Sequence, residues 1–305
     1  MVDVRRLRVL RELADQHTIT ATAAALHLTP SAVSQQIATL SREAGVPLLS
    51  RSGRGVQLTS QARLLLDHAA VIHAQLERAR ADLAAYADGR TGQVSIGAFA
   101  TAISGLAAPA VARLRRLRPE LSVRVVQTQA PDCFTRLDTG DLDIIITVDW
   151  RNAPHHTDPR YTRRNLLTDP LLLAVPADHA LASQPTLNLA QLADQPWIAG
   201  APGGPCVEVS LAACAAHGFN PDVRHLTDDW NATLGLVAAG AGVALVPNLA
   251  VRPTPGVVLR QFGPNGPARR IFAALRAGSE QSPLLIPVLA ALSKTSEQAN
   301  CPPSS

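Results

Sequence analysis

Apolar residues near the start of the chain recur at helical spacing. Val4, Leu7, Leu10 and Leu13 form one stripe, which predicts an amphipathic helix. Thr18 and Thr20 are candidate caps for a second, shorter helix, in which Ala23, Ala24 and Ala25 lead to Leu26. His27-Leu28 makes the turn, and Thr29-Pro30 reads as an N-cap followed by proline at the first helical position. The helix it opens runs to about Ala44 with Val33, Ile37, Leu40 and Ala44 on one face, and Gly45 ends it. Pro47–Leu49 and Gly55–Leu58 flank Arg51-Ser52-Gly53-Arg54, a pattern that predicts a small β-hairpin with arginines at its tip. Thr59 or Ser60 then caps a long helix. Leu65, Ala69, Ile72, Leu76, Ala79, Leu83 and Tyr86 keep an alternating 4-3 spacing along it, the seam of a coiled coil that needs a partner helix.

Asp88-Gly89-Arg90-Thr91-Gly92 breaks the pattern and marks the best domain boundary. Beyond it, strands alternate with helices. Strands are expected at Val94–Gly97, Val123–Val126, 141–146, Leu171–Val175, Trp197–Ala199, Val243–Pro247 and Ile271–Leu275. Helices are expected at Ala102–Leu117, from about Cys206 to His217, and from Trp230 to Ala239. The expected class is therefore α/β with a mostly parallel sheet. The expected organisation is a winged helix-turn-helix over 1–60, a dimerisation linker helix over 60–88 and a two-lobed α/β domain over 92–293. Its chain crossings are expected near 148–165 and 255–270, and a disordered polar tail over 294–305.

The 305 residues are 47% hydrophobic but only 3% aromatic, so the cores must be built from Ala, Leu and Val. No apolar run reaches the roughly 18 residues of a membrane helix, and Met1–Arg6 lacks the apolar stretch of a secretion signal, so a soluble cytoplasmic protein with no membrane partner is expected. The net charge of +4 is confined to residues 1–66, where eight arginines face four acidic residues; the remainder holds twenty of each sign. That placement suits a segment that meets a polyanion. The four cysteines, Cys133, Cys206, Cys214 and Cys301, have no CxxC pairing and no His at metal spacing, and are expected as small buried apolar residues.

Two helices joined by a three-residue turn make a helix-turn-helix. Opposite the apolar stripe, its second helix carries Ser31, Ser34, Gln35 and Ala38, short or amide side chains able to approach base edges without binding any phosphate indiscriminately. Thr29, Pro30, Ser31, Ser34 and Gln35 are the candidate DNA contacts, with Arg51 and Arg54 on the wing placed for phosphates or the minor groove.

These residues carry a resemblance. Thr18–Thr20, Ala23–Leu26, Leu28–Ile37 and Leu40 closely resemble the DNA-binding segment of LysR-type transcriptional regulators, and Gly45–Arg51 with Val56–Thr59 is similar to the family's wing. Leu236–Pro247, Arg118–Leu121 and Gly140–Asp143 are similar to landmarks of its effector domain. Thr22, Ser41, Leu49 and Ala62 depart from the residues usual there, and the loss of an acidic residue at 41 is expected to alter contacts at the dimer or wing. The resemblance implies a periplasmic-binding-protein-like effector domain. It also implies dimerisation through the long helix, tetramers built from dimer pairs, an imperfect inverted repeat in double-stranded DNA and a small-molecule coinducer between the lobes. RNA polymerase is a further expected partner.

For the effector, the cleft should collect strand ends and helix starts. The candidates are Ala100, Thr101 and Ala102; Thr147 and Asp149; Pro202 and Gly203 in the turn before a helix; and Asp228 with Trp230. If Asp149 and Asp228 both face the cleft, they favour a cationic or hydroxyl-rich ligand. Cys206 and Cys214 lie where the resemblance puts the reactive pair of peroxide-sensing members. Yet no basic residue is near either in sequence except His217, and eight helical residues separate their Cα atoms by about 12 Å, beyond disulfide reach. Thiol-based redox sensing is thus one alternative to coinducer control. A solute-binding module without DNA function is another, disfavoured by the N-terminal unit. No nucleophile elbow, dinucleotide loop or HExxH is present, so neither an enzyme nor a cofactor is expected. The cluster His155-His156 in a Pro-rich loop is read as solvated rather than metal-bound.

Overall fold

The computed structural model describes residues 3–52, 55–86 and 92–300, and divides into two compact units, 1–79 and 80–305. The first begins with helix α1 (Val4–Gln16), whose N-terminus is capped by Asp3 accepting from the Arg5 amide. Its buried face is Leu7, Val9, Leu10 and Leu13, whereas Val4 is exposed: the stripe starts one turn later than the sequence spacing suggests. Thr18 caps α2 (Ile19–Ala25) through the Ala21 amide, and Thr29 caps α3 (Pro30–Ala44) through the Ala32 amide. Gly45, at φ 71°, ends α3 in the left-handed conformation that glycine adopts without strain.

Val33, Ile37 and Leu40 of α3 are buried against α1, α2 and Leu48. Thr22 is also buried, and its hydroxyl donates to the Thr18 carbonyl at 2.7 Å, so the hydroxyl is satisfied where a methyl is usual. Strands β1 (Leu49–Ser52) and β2 (Gly55–Leu58) pair antiparallel as a hairpin. Helix α4 (Ser60–Tyr86) starts at the Thr59 hydroxyl, which accepts from the Ala62 amide.

The second unit opens with β3 (Gly92–Ala98), α5 (Ala100–Ala102), a π-helical turn at Ile103–Ala107 and α6 (Ala108–Leu117). Then come β4 (Leu121–Gln127), α7 (Asp132–Thr139), β5 (Ile144–Val148) and the 16-residue β6 (Tyr161–Pro176). Next are β7 (Pro196–Ala199), α8 (Pro205–Ala216), β8 (Asp222–Leu226) and α9 (Trp230–Ala238). The chain ends with β9 (Ala244–Pro247), β10 (Val257–Arg260), β11 (Ala268–Arg276) and α10 (Leu285–Asn300).

The main sheet runs β10-β6-β11-β5-β3-β4, with β9 also on β6, and β7 pairs with β8 apart from it. The expectation of a mostly parallel sheet is corrected. β3–β4, β3–β5 and β7–β8 are parallel, but β6 pairs antiparallel with β9, β10 and β11, and β11 antiparallel with β5. The cause is β6, which spans both lobes: Tyr161–Pro170 pairs with β11, and Leu171–Pro176 with β9 and β10. The chain therefore crosses at Pro170–Leu171, later than the stretch 148–165, and returns between Arg260 and Ala268. The first half of β6 escapes a reading for apolar runs because Thr162-Arg163-Arg164-Asn165 is polar.

Each lobe has two cores, one on either face of its sheet. Ile96, Leu106, Leu114, Ile144 and Leu289 lie in one of the first lobe, and Phe134, Leu137, Tyr161 and Phe272 in the other. Leu173, Trp197, Cys214 and Leu245 lie in one of the second lobe, and Ala174, Leu234 and Val246 in the other. The expected disordered tail over 294–305 is also corrected. Helix α10 continues to Asn300, Thr295 and Ser296 are buried, and the Thr295 hydroxyl donates to the Ala291 carbonyl; residues 301–305, with Cys301, lie outside the described residues.

Candidate functional site

Two strands that cross between the lobes put Arg269 of β11 directly opposite Asp169 of β6. Both side chains are inaccessible, at 0% and 1% exposure. Asp169 Oδ2 accepts from Arg269 Nε at 2.9 Å and lies 2.7 Å from Nη2, while its Oδ1 accepts from the Leu249 amide at 3.1 Å. Burial pushes the Asp169 carboxyl up, and the guanidinium beside it pulls the other way. A buried pair survives only with such saturation, because two desolvated charges each forfeit several kcal/mol of hydration.

The same guanidinium reaches into both lobes. Nη2 donates to Thr101 Oγ1 at 2.9 Å, Nη1 to Cys206 Sγ at 3.0 Å, and the Phe99 ring lies 4.9 Å from the guanidinium carbon. Thr101 is the second residue of α5 in the first lobe and Cys206 the second residue of α8 in the other. Arg269 thus ties both lobes to the crossing strands.

A small cavity, about 80 Å³, adjoins this centre. That is room for a few water molecules or a small solute. Trp197, Ile198, Val207 and Leu245 supply apolar wall, and Gln129, Thr227 and Asp228 supply polar groups. Of the residues expected at an effector site, Ala100, Thr101, Asp228 and Trp230 line it. The others do not. Ala102 is in the core, and Thr147 is buried against Cys133. Pro202 and Gly203 stand exposed in the turn before α8. Asp149 is held by Arg163 and Arg270 at 3.2 and 3.3 Å, so it does not join Asp228 at the cleft.

Sequence reasoning missed Arg269, Asp169, Gln129 and Trp197, since the central pair is 100 residues apart and carries no local motif. It also took Cys206 for a buried residue without a basic neighbour, whereas the thiol is partly exposed on the cavity wall beside Arg269. Cys133 and Cys214 are buried, and burial raises their thiols to about 12 and about 11. Burial also pushes the Tyr161 hydroxyl up, where it donates to Asp138 Oδ2 at 2.8 Å. Among the described residues no cluster of His, Cys, Asp or Glu suits a metal, and no helix is long and apolar enough to cross a membrane.

In the first unit, Thr29, Pro30, Ser31, Ser34 and Gln35 are all exposed, Thr29 and Pro30 at the start of α3 and Ser31, Ser34 and Gln35 on its face opposite Val33, Ile37 and Leu40. The Thr29 and Ser31 hydroxyls lie 3.0 Å apart. Ser41 closes the end of α3: its hydroxyl accepts from the Leu48 amide at 3.3 Å, so its role is local. Arg51 belongs to β1; its side chain, and Arg54 altogether, lie outside the described residues. Along α4, Ala62, Leu66 and Ala70 are buried, and Leu65 and Ala69 pack beside the unit's own core. Ile72, Leu76, Ala79 and Leu83 are exposed, and the Tyr86 side chain lies outside the described residues.

Comparison with known proteins agrees with this architecture. Residues 4–63 match the model of the bacterial regulatory helix-turn-helix protein, lysR family, and residues 87–296 match the LysR substrate binding domain. The chain belongs to the LysR family: it is a DNA-binding transcriptional regulator with an effector-binding domain. It is 28% identical to the transcriptional dual regulator GltC of Bacillus subtilis over 247 residues, 81% of each chain. It is 26% identical to the transcriptional dual regulator OxyR of Escherichia coli over 281 residues, 91% of this chain and 90% of that one. A hydrogen-peroxide-bound cysteine-to-serine mutant of Corynebacterium glutamicum OxyR shares the fold, with a TM-score of 0.62 at 21% identity over 98% of this chain and 94% of that one.

Proposed function

We propose that the exposed polar face of α3 reads base edges of an imperfect inverted repeat in double-stranded DNA, and that a small molecule in the Arg269 cleft sets the transcriptional outcome. Thr29, Pro30, Ser31, Ser34 and Gln35 make the contacts, Gln35 through the paired bonds an amide forms with adenine, while Arg51 and Arg54 bind the backbone. The observation that carries this reading is the capped, uncharged, exposed face of α3 in a unit whose opposite face fills its own core. The exposed apolar residues Ile72, Leu76 and Leu83 supply the seam for a second copy, and pairs of dimers make the tetramer. The protein works in the cytoplasm and acts on RNA polymerase at the promoter.

A mobility-shift screen of promoter fragments from the neighbouring genome tests this. Retention that weakens steeply with salt is expected. Absence of salt-sensitive binding to every such fragment contradicts it.

A second reading has one specific observation in its favour, the Arg269 Nη1 donor on Cys206 Sγ. Here the sulfur attacks one oxygen of hydrogen peroxide, the O–O bond breaks, and a sulfenic acid and water result. The product stays a single-cysteine species, because Cys214 sits buried eight residues further along α8. Peroxide treatment of the full chain, read by the gain of one oxygen at Cys206 and by operator mobility, tests it. An unchanged mobility, or a change retained in Cys206→Ser, contradicts it.

A further inference from the structure

The charges around the cleft restrict what it binds. This inference rests on the reading of that cleft as the effector site. Among the described residues, Arg269 is the only basic one on the cavity wall, and its charge is offset by Asp169 on the adjacent strand. All three guanidinium nitrogens already have partners: Nε on Asp169, Nη2 on Asp169 and Thr101, Nη1 on Cys206. An entering carboxylate or phosphate could reach Arg269 only through Nη1, in competition with Cys206 Sγ, and would meet a guanidinium whose charge Asp169 already offsets.

Of the helix starts near the cavity, the other source of positive potential, that of α9 is answered from within. The start of α9 is capped by Asp229, whose Oδ1 accepts from the Ala232 amide at 2.8 Å. Helix α8 opens on Pro205, which has no N–H, and its N-cap Gly204 makes no side-chain cap bond; the negative charge nearest that start is Asp228, whose Oδ1 accepts from the Ala201 amide in the preceding turn at 3.0 Å.

Beside the Gln129 amide and the Thr227 hydroxyl, the cavity keeps the acceptor capacity of a carboxylate open. Asp228 is exposed and lines the cavity, and its Oδ1 accepts from the Ala201 amide; among the described residues no cation pairs with it. The Trp230 and Phe99 rings lie on the same wall, and the Phe99 ring already stands under the Arg269 guanidinium, so neither brings a further cation to it. The Ser210 and Thr233 hydroxyls donate to the backbone carbonyls of Cys206 and Asp229, which withdraws two more donors from any ligand.

We propose that the effector is a small molecule without negative charge that carries N–H or O–H donors, an amine or alcohol, held by the Asp228 carboxylate. Three two-carbon probes of matched size and one shared hydroxyl separate the possibilities: ethanolamine, ethylene glycol and glycolate, each added to the full-length protein. Calorimetry and thermal melting are expected to rank ethanolamine first, ethylene glycol second and glycolate last, with about tenfold between the first and last dissociation constants. In Asp228→Asn, whose amide oxygen still accepts from the Ala201 amide, the advantage of ethanolamine over ethylene glycol should disappear.

Binding of glycolate as tight as or tighter than ethanolamine overturns the proposal, and so does the absence of any binding. Operator mobility is read in the same samples. Expected binding without any change in operator mobility refutes the effector reading and spares the charge assignment. Glycolate binding with a mobility change refutes the charge assignment and spares the effector reading.

Discussion

The DNA-binding unit and the effector-binding half are stabilised at different ranges along the chain. In the first, the bonds that bound its helices are local: Thr18 caps to Ala21, Thr29 to Ala32 and Thr59 to Ala62, and Gly45 stops α3. In the second, the central ion pair joins residues 100 apart, and Arg269 reaches Thr101 across 168 positions. A unit written in local signals presents its functional face wherever its helices form. A cleft written in long-range pairs exists only once both crossing strands are in register, and a single buried side chain then governs both lobes.

The contrast can be broken most severely at Arg269. Arg269→Ala strands Asp169 without a partner and should lower stability by about 3–5 kcal/mol, read as a fall in the thermal midpoint of the effector-binding half. The paired replacement Asp169→Asn with Arg269→Met should recover most of that loss; failure to recover any of it would show that the pair is not the origin of the cost. Next in size, Leu76→Asp places a charge on the exposed seam of α4 and should shift the sedimentation of the full chain from assembled to single copies. An unchanged assembly would exclude that seam.

A local signal should cost less. Thr29→Ala removes one cap bond and should destabilise the DNA-binding unit by about 1 kcal/mol, with the effector-binding half unaffected in a domain-resolved melt. Smallest in structural consequence is alkylation. With Cys133 and Cys214 held at about 12 and about 11, both remain thiols at pH 8, so iodoacetamide followed by peptide mapping should modify Cys206 and spare those two. Modification of Cys214 ahead of Cys206 would contradict the burial described for it.

The same contrast decided what the sequence could reveal. Thr29-Pro30 and Gly45 are punctuation within a few residues of the helix they bound, so α3 and its polar face were legible at once. Thr101 and Asp228 were found because residues at helix starts tend to face clefts. Asp149 satisfied the same rule and is nonetheless consumed by Arg163 and Arg270, partners contributed by two other strands. Arg269 had no signature, because an arginine's surroundings are set by register, here Arg269 opposite Asp169, and not by its neighbours in sequence. The last turns of α10 were mistaken for a tail for a related reason. Thr295 and Ser296 look polar in sequence but satisfy their hydroxyls on the preceding turn and bury the rest.

The exposed face of α3 is the part proposed to distinguish one DNA sequence from another. The most direct test is a fluorescence-anisotropy titration of an operator fragment and a scrambled duplex of equal length, with the wild-type chain and with Ser34→Ala/Gln35→Ala. The wild type should prefer the operator. The double variant should bind both duplexes with nearly the affinity the wild type has for the scrambled one, with unchanged assembly and a salt dependence that remains steep. Retention of the wild-type preference by the double variant would contradict the account.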